Sequence, residues 1–207
     1  MRSRRLLFAP LALAVLASVA TGCTADEPSP ARAADTAVVP ATDSRPDVST
    51  VDWRNATYSV ACRALGGPSD QQVPVTLANG SGTTEPVSWF GPPTRITVTA
   101  EDVLLGDLTG DGRAEAVVRL TCSPEQSNGQ ADEVQVFGPG SELLATPTVP
   151  NRAGSDFAPA IRSLQVADGR ITGTAFQWAA SDPHCCPSST EPFTFTWDAS
   201  RSTFTAS

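Results

Sequence analysis

The chain has 207 residues, with 14 basic against 22 acidic side chains and a formal net charge of −8, and every basic residue is arginine. An acidic surface repels phosphate backbones and anionic lipid, so nucleic acid is discounted as a partner. The length accommodates an export leader, a linker and one domain of ordinary size.

The first element is a leader. Arg2, Arg4 and Arg5 precede an apolar run over 6–19, and small residues follow as Ala20-Thr21-Gly22-Cys23. This is the layout of a signal peptide over 1–22, and the run is shorter than the ~20 residues of a membrane-spanning helix. Once the leader is removed, 11 basic residues face 22 acidic ones. The Gly22-Cys23 junction resembles the lipobox of bacterial lipoproteins, in which the cysteine after the cut carries the lipid. Ala20 stands where that motif usually has leucine. The resemblance implies acyl chains on Cys23, each buried CH₂ contributing about 0.8 kcal/mol to anchoring, with the protein held on the outer face of the cell membrane. A plain secreted protein cut near Ala20 is the alternative. Residues 24–50, rich in Ala, Pro, Asp, Ser and Thr and without an aromatic side chain, read as an extended tether.

Residues 51–207 read as one mostly β, antiparallel domain of roughly eight to ten strands. Strand patterns occur in "ATYSVAC", in "QVPVTLA" (an edge strand because of Pro74), in "RITVTAEDVLLGDL", in the apolar "EAVVRLTC", in "DEVQVFG" and in "SELLATPTV". "IRSLQVADGRITGTAFQW" predicts a hairpin turning at Asp168-Gly169. "PFTFTWDASRSTFTA" predicts another, with Phe193, Phe195 and Trp197 on one face and Phe204 returning opposite them. A minor helix near 155–160 would make the class α+β. Cys62, Cys122, Cys185 and Cys186 imply two disulfides in an exported domain. Adjacent side chains of an extended segment point to opposite faces, so the expectation is that Cys62 and Cys122 each pair with one of Cys185 and Cys186.

The segment "GDLTGDGRAEAVV" is the sharpest local pattern. Asp107, Thr109, Asp111, the Arg113 carbonyl and Glu115 fall at the ligand positions of a nine-residue calcium loop, with Gly112 at its bend, and resemble the loops of FG-GAP and dockerin-like repeats. The competing expectation is a strand-turn-strand connection in which Asp107 and Asp111 accept backbone N–H groups, Gly110 and Gly112 supply positive φ, and Glu115 is a solvated strand residue. Ca²⁺ is the only cofactor this pattern implies. His184 is the only histidine and sits beside Cys185, but no Gly-x-Ser-x-Gly elbow, Cys-x-x-Cys pair or phosphate loop accompanies it. No catalytic residue is assigned. Trp89 and Phe90, between Gly- and Pro-rich stretches, are the expected exposed contact pair.

Taken together, "DLTGDGRAEAVVRLTC", "EVQVF" and "DPHCCPSSTEPFTFTWDASRSTF" resemble actinobacterial lipoproteins of the LppP/LprE type over about the last half of the chain. The resemblance implies a small cell-surface lipoprotein domain and carries no catalytic residues with it. The expected function is therefore a non-catalytic binding domain, tethered to the membrane by its N-terminal lipid and meeting an envelope protein or glycan. A calcium-stabilised adhesion module and a cryptic extracellular hydrolase are the two alternatives.

Overall fold

A computed structural model describes residues 44–207, apart from Ser69, Phe90, Gln126 and His184. The leader, Cys23 and most of the tether lie outside the described residues. The folded unit begins before residue 51. Val48 is buried at 1% exposure, Pro46 C=O accepts from Gly140 N–H at 2.9 Å, and Arg45 pairs with Glu142 at 2.7 Å.

Eleven strands are present among the described residues: β1 (Thr57–Val60), β2 (Val73–Thr76), β3 (Ser81–Thr83), β4 (Ile96–Gly106), β5 (Glu115–Pro124), β6 (Ala131–Phe137), β7 (Leu143–Ala145), β8 (Ala160–Ala167), β9 (Arg170–Gln177), β10 (Ser189–Asp198) and β11 (Thr203–Ala206). They form a five-stranded sheet in the order β3-β4-β5-β6-β7, a four-stranded sheet in the order β11-β10-β9-β8, and the pair β1-β2. Every pairing within these sheets is antiparallel. Among the described residues, helical structure is limited to 3-10 turns at Val48–Thr50, Trp53–Asn55 and Arg63–Leu65. The helix expected near 155–160 does not form. The Ser155 hydroxyl closes a local turn on the N–H and C=O of Phe157, and Pro159 has no N–H to give a helix.

The five-stranded sheet is covered on both faces, which explains why "EAVVRLTC" is apolar without alternation. In β5, Ala116, Val118, Leu120 and Cys122 enter one core with Trp53, Tyr58, Val60, Leu77, Ile96, Val98 and Phe137. The β1-β2 pair and the first two 3-10 turns supply the cover on that side. Val117 points the other way, into a second core with Val134, Val136, Leu164, Ile171, Phe193, Phe195 and Phe204. The four-stranded sheet covers that face. Trp53 is pinned in the first core by Nε1–H donation to Val48 C=O at 2.9 Å and by a ring contact with Phe137 at 4.8 Å. The Tyr58 hydroxyl donates to Trp53 C=O at 2.5 Å.

Both predicted hairpins form. Asp168 (φ 52°) and Gly169 (φ 69°) make the tight β8-β9 turn, and Trp197 faces Phe204 across β10-β11 with ring centres 5.1 Å apart.

Two disulfides form, but their partners differ from the expectation. Cys62 bonds Cys122, with Cα atoms 6.0 Å apart, and Cys185 bonds Cys186. Cys62 and Cys122 are at 1% and 0% exposure inside the first core, whereas Cys185 and Cys186 are exposed in the β9-β10 turn. The alternation argument assumed an extended segment there. The segment is a turn, so neighbouring sulfurs reach each other.

Candidate functional site

Loop 107–114 joins β4 to β5, which opens at Glu115, as a strand-turn-strand connection. Asp107 accepts from Gly110 N–H at 2.7 Å with one carboxylate oxygen and from Gly112 N–H at 2.9 Å with the other. Asp111 accepts from Arg113 N–H at 2.8 Å, and the Arg113 guanidinium reaches Arg45 C=O at 3.1 Å. Gly110 (φ 80°) and Gly112 (φ 83°) hold the backbone conformation that permits these bonds.

Glu115 is neither solvated nor turned toward the loop mouth. It is 1% exposed, and Oε2 accepts from Leu108 N–H at 2.7 Å and Thr109 N–H at 3.2 Å while Oε1 lies 3.3 Å from the Thr109 hydroxyl. Burial pushes the Glu115 carboxyl above the usual glutamate range, and the two N–H bonds oppose that shift. Asp107, Asp111 and Glu115 do not converge as a ligand set. Among the described residues, the one cluster of three potential metal-binding side chains is Cys62, Cys122 and Glu133, with ligand atoms within 4.8 Å of one another, and its two sulfurs are joined in a disulfide.

Trp89 is half-buried and packs against the first core. Phe90 and His184 lie outside the described residues. The loop that carries Trp89 borders an open depression of about 570 Å³, lined by Pro86, Pro92, Pro93, Pro124, Arg95 and Glu125 among others.

A more enclosed groove of about 420 Å³ lies between the Arg63–Leu65 turn, β6 and the segment 146–161. Asp132, Glu133, Arg63, Asn151, Asp156 and Ala158 are among its walls. The two β6 carboxylates point to opposite sides of their sheet and are both held in place. Glu133 accepts from Ala61 N–H at 3.1 Å, from Cys62 N–H at 2.8 Å and from the Gln135 amide at 2.6 Å. Gln135 in turn donates to Ser59 C=O at 2.8 Å. These bonds fasten the end of β1, where Cys62 adopts a left-handed conformation (φ 43°).

Asp132, on the other side, accepts from the Thr121 hydroxyl at 2.9 Å and from Ile161 N–H at 2.7 Å. Arg119 bridges Asp132 (3.4 Å) and Asp102 (2.6 Å) and donates to Ile161 C=O at 3.3 Å. This clamp ties β8, an edge strand, to the central sheet. The groove thus has a hydrogen-bonded floor on β6 and a wall, segment 146–159, of mostly irregular backbone. Gln177 holds that wall from the second sheet by accepting from Arg152 N–H at 3.2 Å and donating to Pro150 C=O at 3.1 Å.

Sequence reasoning did not find this groove, because its three walls come from separate stretches and its acids look like the polar half of an alternating strand. What fold and site define together is a three-layered antiparallel β domain with a groove of mixed apolar and polar lining at the start of β6. No family model, characterised protein or solved structure matches the chain.

Proposed function

We propose that this protein is a lipid-tethered, extracytoplasmic binding module of the cell envelope, non-catalytic, with the β6 groove as its contact site. The observation that carries the reading is the groove floor. Asp132 and Glu133 both line it, yet their oxygens accept from backbone N–H groups and neighbouring side chains. Carboxylates so engaged hold shape and polarity and are poorly placed to shuttle protons. Asn151 and Asp156, both exposed, supply polar contacts at the rim. Val134, Pro147, Val149 and Pro159 add apolar wall between them, so the mixed lining suits a glycan or peptide segment that presents both polar and apolar faces. The leader and Cys23 support the tether.

The test has two arms. The full chain and Cys23→Ala are produced in a bacterial host fed a labelled fatty acid. Label and membrane fractionation are expected for the first and neither for the second; label retained by Cys23→Ala sinks the anchor. Retention on immobilised cell-envelope glycan and envelope protein is then compared for the wild type and Ala158→Trp, which fills the groove. Loss of retention at an unchanged melting temperature supports the groove, and equal retention rejects it.

A further inference from the structure

The two disulfides differ in kind. Cys62–Cys122 is buried in the first core and spans a sequence separation of 60, so it removes much freedom from the unfolded chain. Cys185–Cys186 has a sequence separation of 1. It closes no loop, so the chain-entropy mechanism gives it no stabilising role. Both of its residues are exposed.

The turn that carries it is held without it. Asp182 accepts from Ala179 N–H at 2.6 Å and from Ser188 N–H at 2.9 Å, and Cys186 N–H donates to Pro183 C=O at 2.9 Å. Those N–H bonds keep the Asp182 carboxyl below the usual aspartate range. Opening the sulfur bridge therefore leaves the backbone of the turn fastened at both ends.

We propose that Cys185–Cys186 is a reversible thiol-exchange site, open to dithiols and, once reduced, a bidentate ligand for thiophilic reagents. In the forward step a thiolate of an external dithiol attacks one of the two sulfurs. The Cys185–Cys186 bond breaks, a mixed disulfide forms and the other cysteine leaves as a thiolate. The second thiol of the reductant then attacks the mixed disulfide and departs as a cyclic disulfide. Two electrons and two protons end on Cys185 and Cys186, and the reductant is oxidised by the same two electrons. Access governs each attack, which separates this bridge from the buried one. The site also sits beside the groove wall, because Arg152 of that wall donates to Ser189 at 3.1 Å just past the turn.

The experiment uses the full-length chain purified from the envelope fraction. It is treated with limiting dithiothreitol, alkylated, and mapped by peptide mass spectrometry. Cys185 and Cys186 are expected to carry the alkyl groups while Cys62–Cys122 stays joined, with the melting temperature unmoved. The reduced chain is expected to add one phenylarsine oxide, which bridges neighbouring thiols, and Cys185→Ser is expected to add none. Opening of Cys62–Cys122 first or together with the exposed pair overturns the proposal. So does a Cys185–Cys186 bridge that resists dithiothreitol, a melting temperature that falls when only that bridge is opened, or a reduced chain that takes up no arsenical.

Discussion

Glu115 makes the sharpest statement at the level of single residues. Its carboxyl is buried and its acceptors face two N–H groups and a hydroxyl, a set that a protonated acid satisfies as well as an ionised one. Its folded pKa is raised by burial, so its contribution to stability is complete below the ordinary glutamate range and is lost as pH rises through the raised value. Glu115→Gln imitates the protonated form: its carbonyl accepts the same two N–H bonds and its NH₂ donates to the Thr109 hydroxyl. Urea unfolding across pH is expected to show the wild type losing stability relative to Glu115→Gln from about pH 4 upward. Glu115→Ala, which orphans the buried Leu108 N–H and the part-buried Thr109 N–H, is expected to cost about 2–3 kcal/mol. Because the loop carboxylates are engaged with the loop itself, millimolar calcium is expected to leave the melting temperature of both wild type and Asp111→Ala unchanged. A calcium-dependent rise lost in Asp111→Ala would restore the metal-loop reading.

Little of this residue-level detail was legible beforehand. The spacing of Asp107, Asp111 and Glu115 suits a cation loop and a hydrogen-bonded turn equally. Burial decides between them, and whether Glu115 lies under the loop depends on the second sheet. Asp132 and Glu133 look like solvent-facing acids for the same reason: a strand covered on both faces gives each parity a buried partner.

The strands themselves were largely legible. Alternation in "FTFTW" places Phe193 and Phe195 in the second core, and the Asp-Gly dipeptide marks the β8-β9 turn. Ser81–Thr83 carries no apolar signal as Ser-Gly-Thr; it becomes β3 by pairing with Thr97, Val98 and Thr99 of β4. The cysteine pairing was not recoverable, since four cysteines permit three connectivities and the choice made rested on an extended backbone. Between elements, the Asp102-Arg119-Asp132 clamp is the connection most exposed to mutation. Arg119 and Asp132 side chains are 15% and 9% exposed. Arg119→Met leaves Asp132 buried without its cation and is expected to lower unfolding free energy by about 3–5 kcal/mol. Asp102→Asn, at the more exposed end of the clamp, is expected to cost about 1 kcal/mol, measured in the same denaturant titration.

Across the whole domain, one covalent link has a large structural share. Cys62–Cys122 joins the end of β1 to the buried strand β5, and by loop-closure entropy it contributes about 4 kcal/mol. The Cys62→Ala/Cys122→Ala double variant is expected to lose that amount in thermal or urea unfolding, whereas Cys185→Ala/Cys186→Ala is expected to stay within about 0.5 kcal/mol of wild type. A comparable loss in the second pair would mean that the exposed bridge supports the fold.

The margins of the sheets bear on how many copies can share a surface. The proposed tether would hold copies at high density in two dimensions, where an open strand edge invites its neighbours to polymerise. Here β3 and β7, which border the five-stranded sheet, are three residues each, and β11 is four. The eight-residue edge β8 is interrupted at Ile161, whose N–H and C=O are already held by Asp132 and Arg119. These edges therefore offer neighbouring copies too short a row of free amides to template a shared sheet, and copies crowded by the proposed tether would be kept from merging through them.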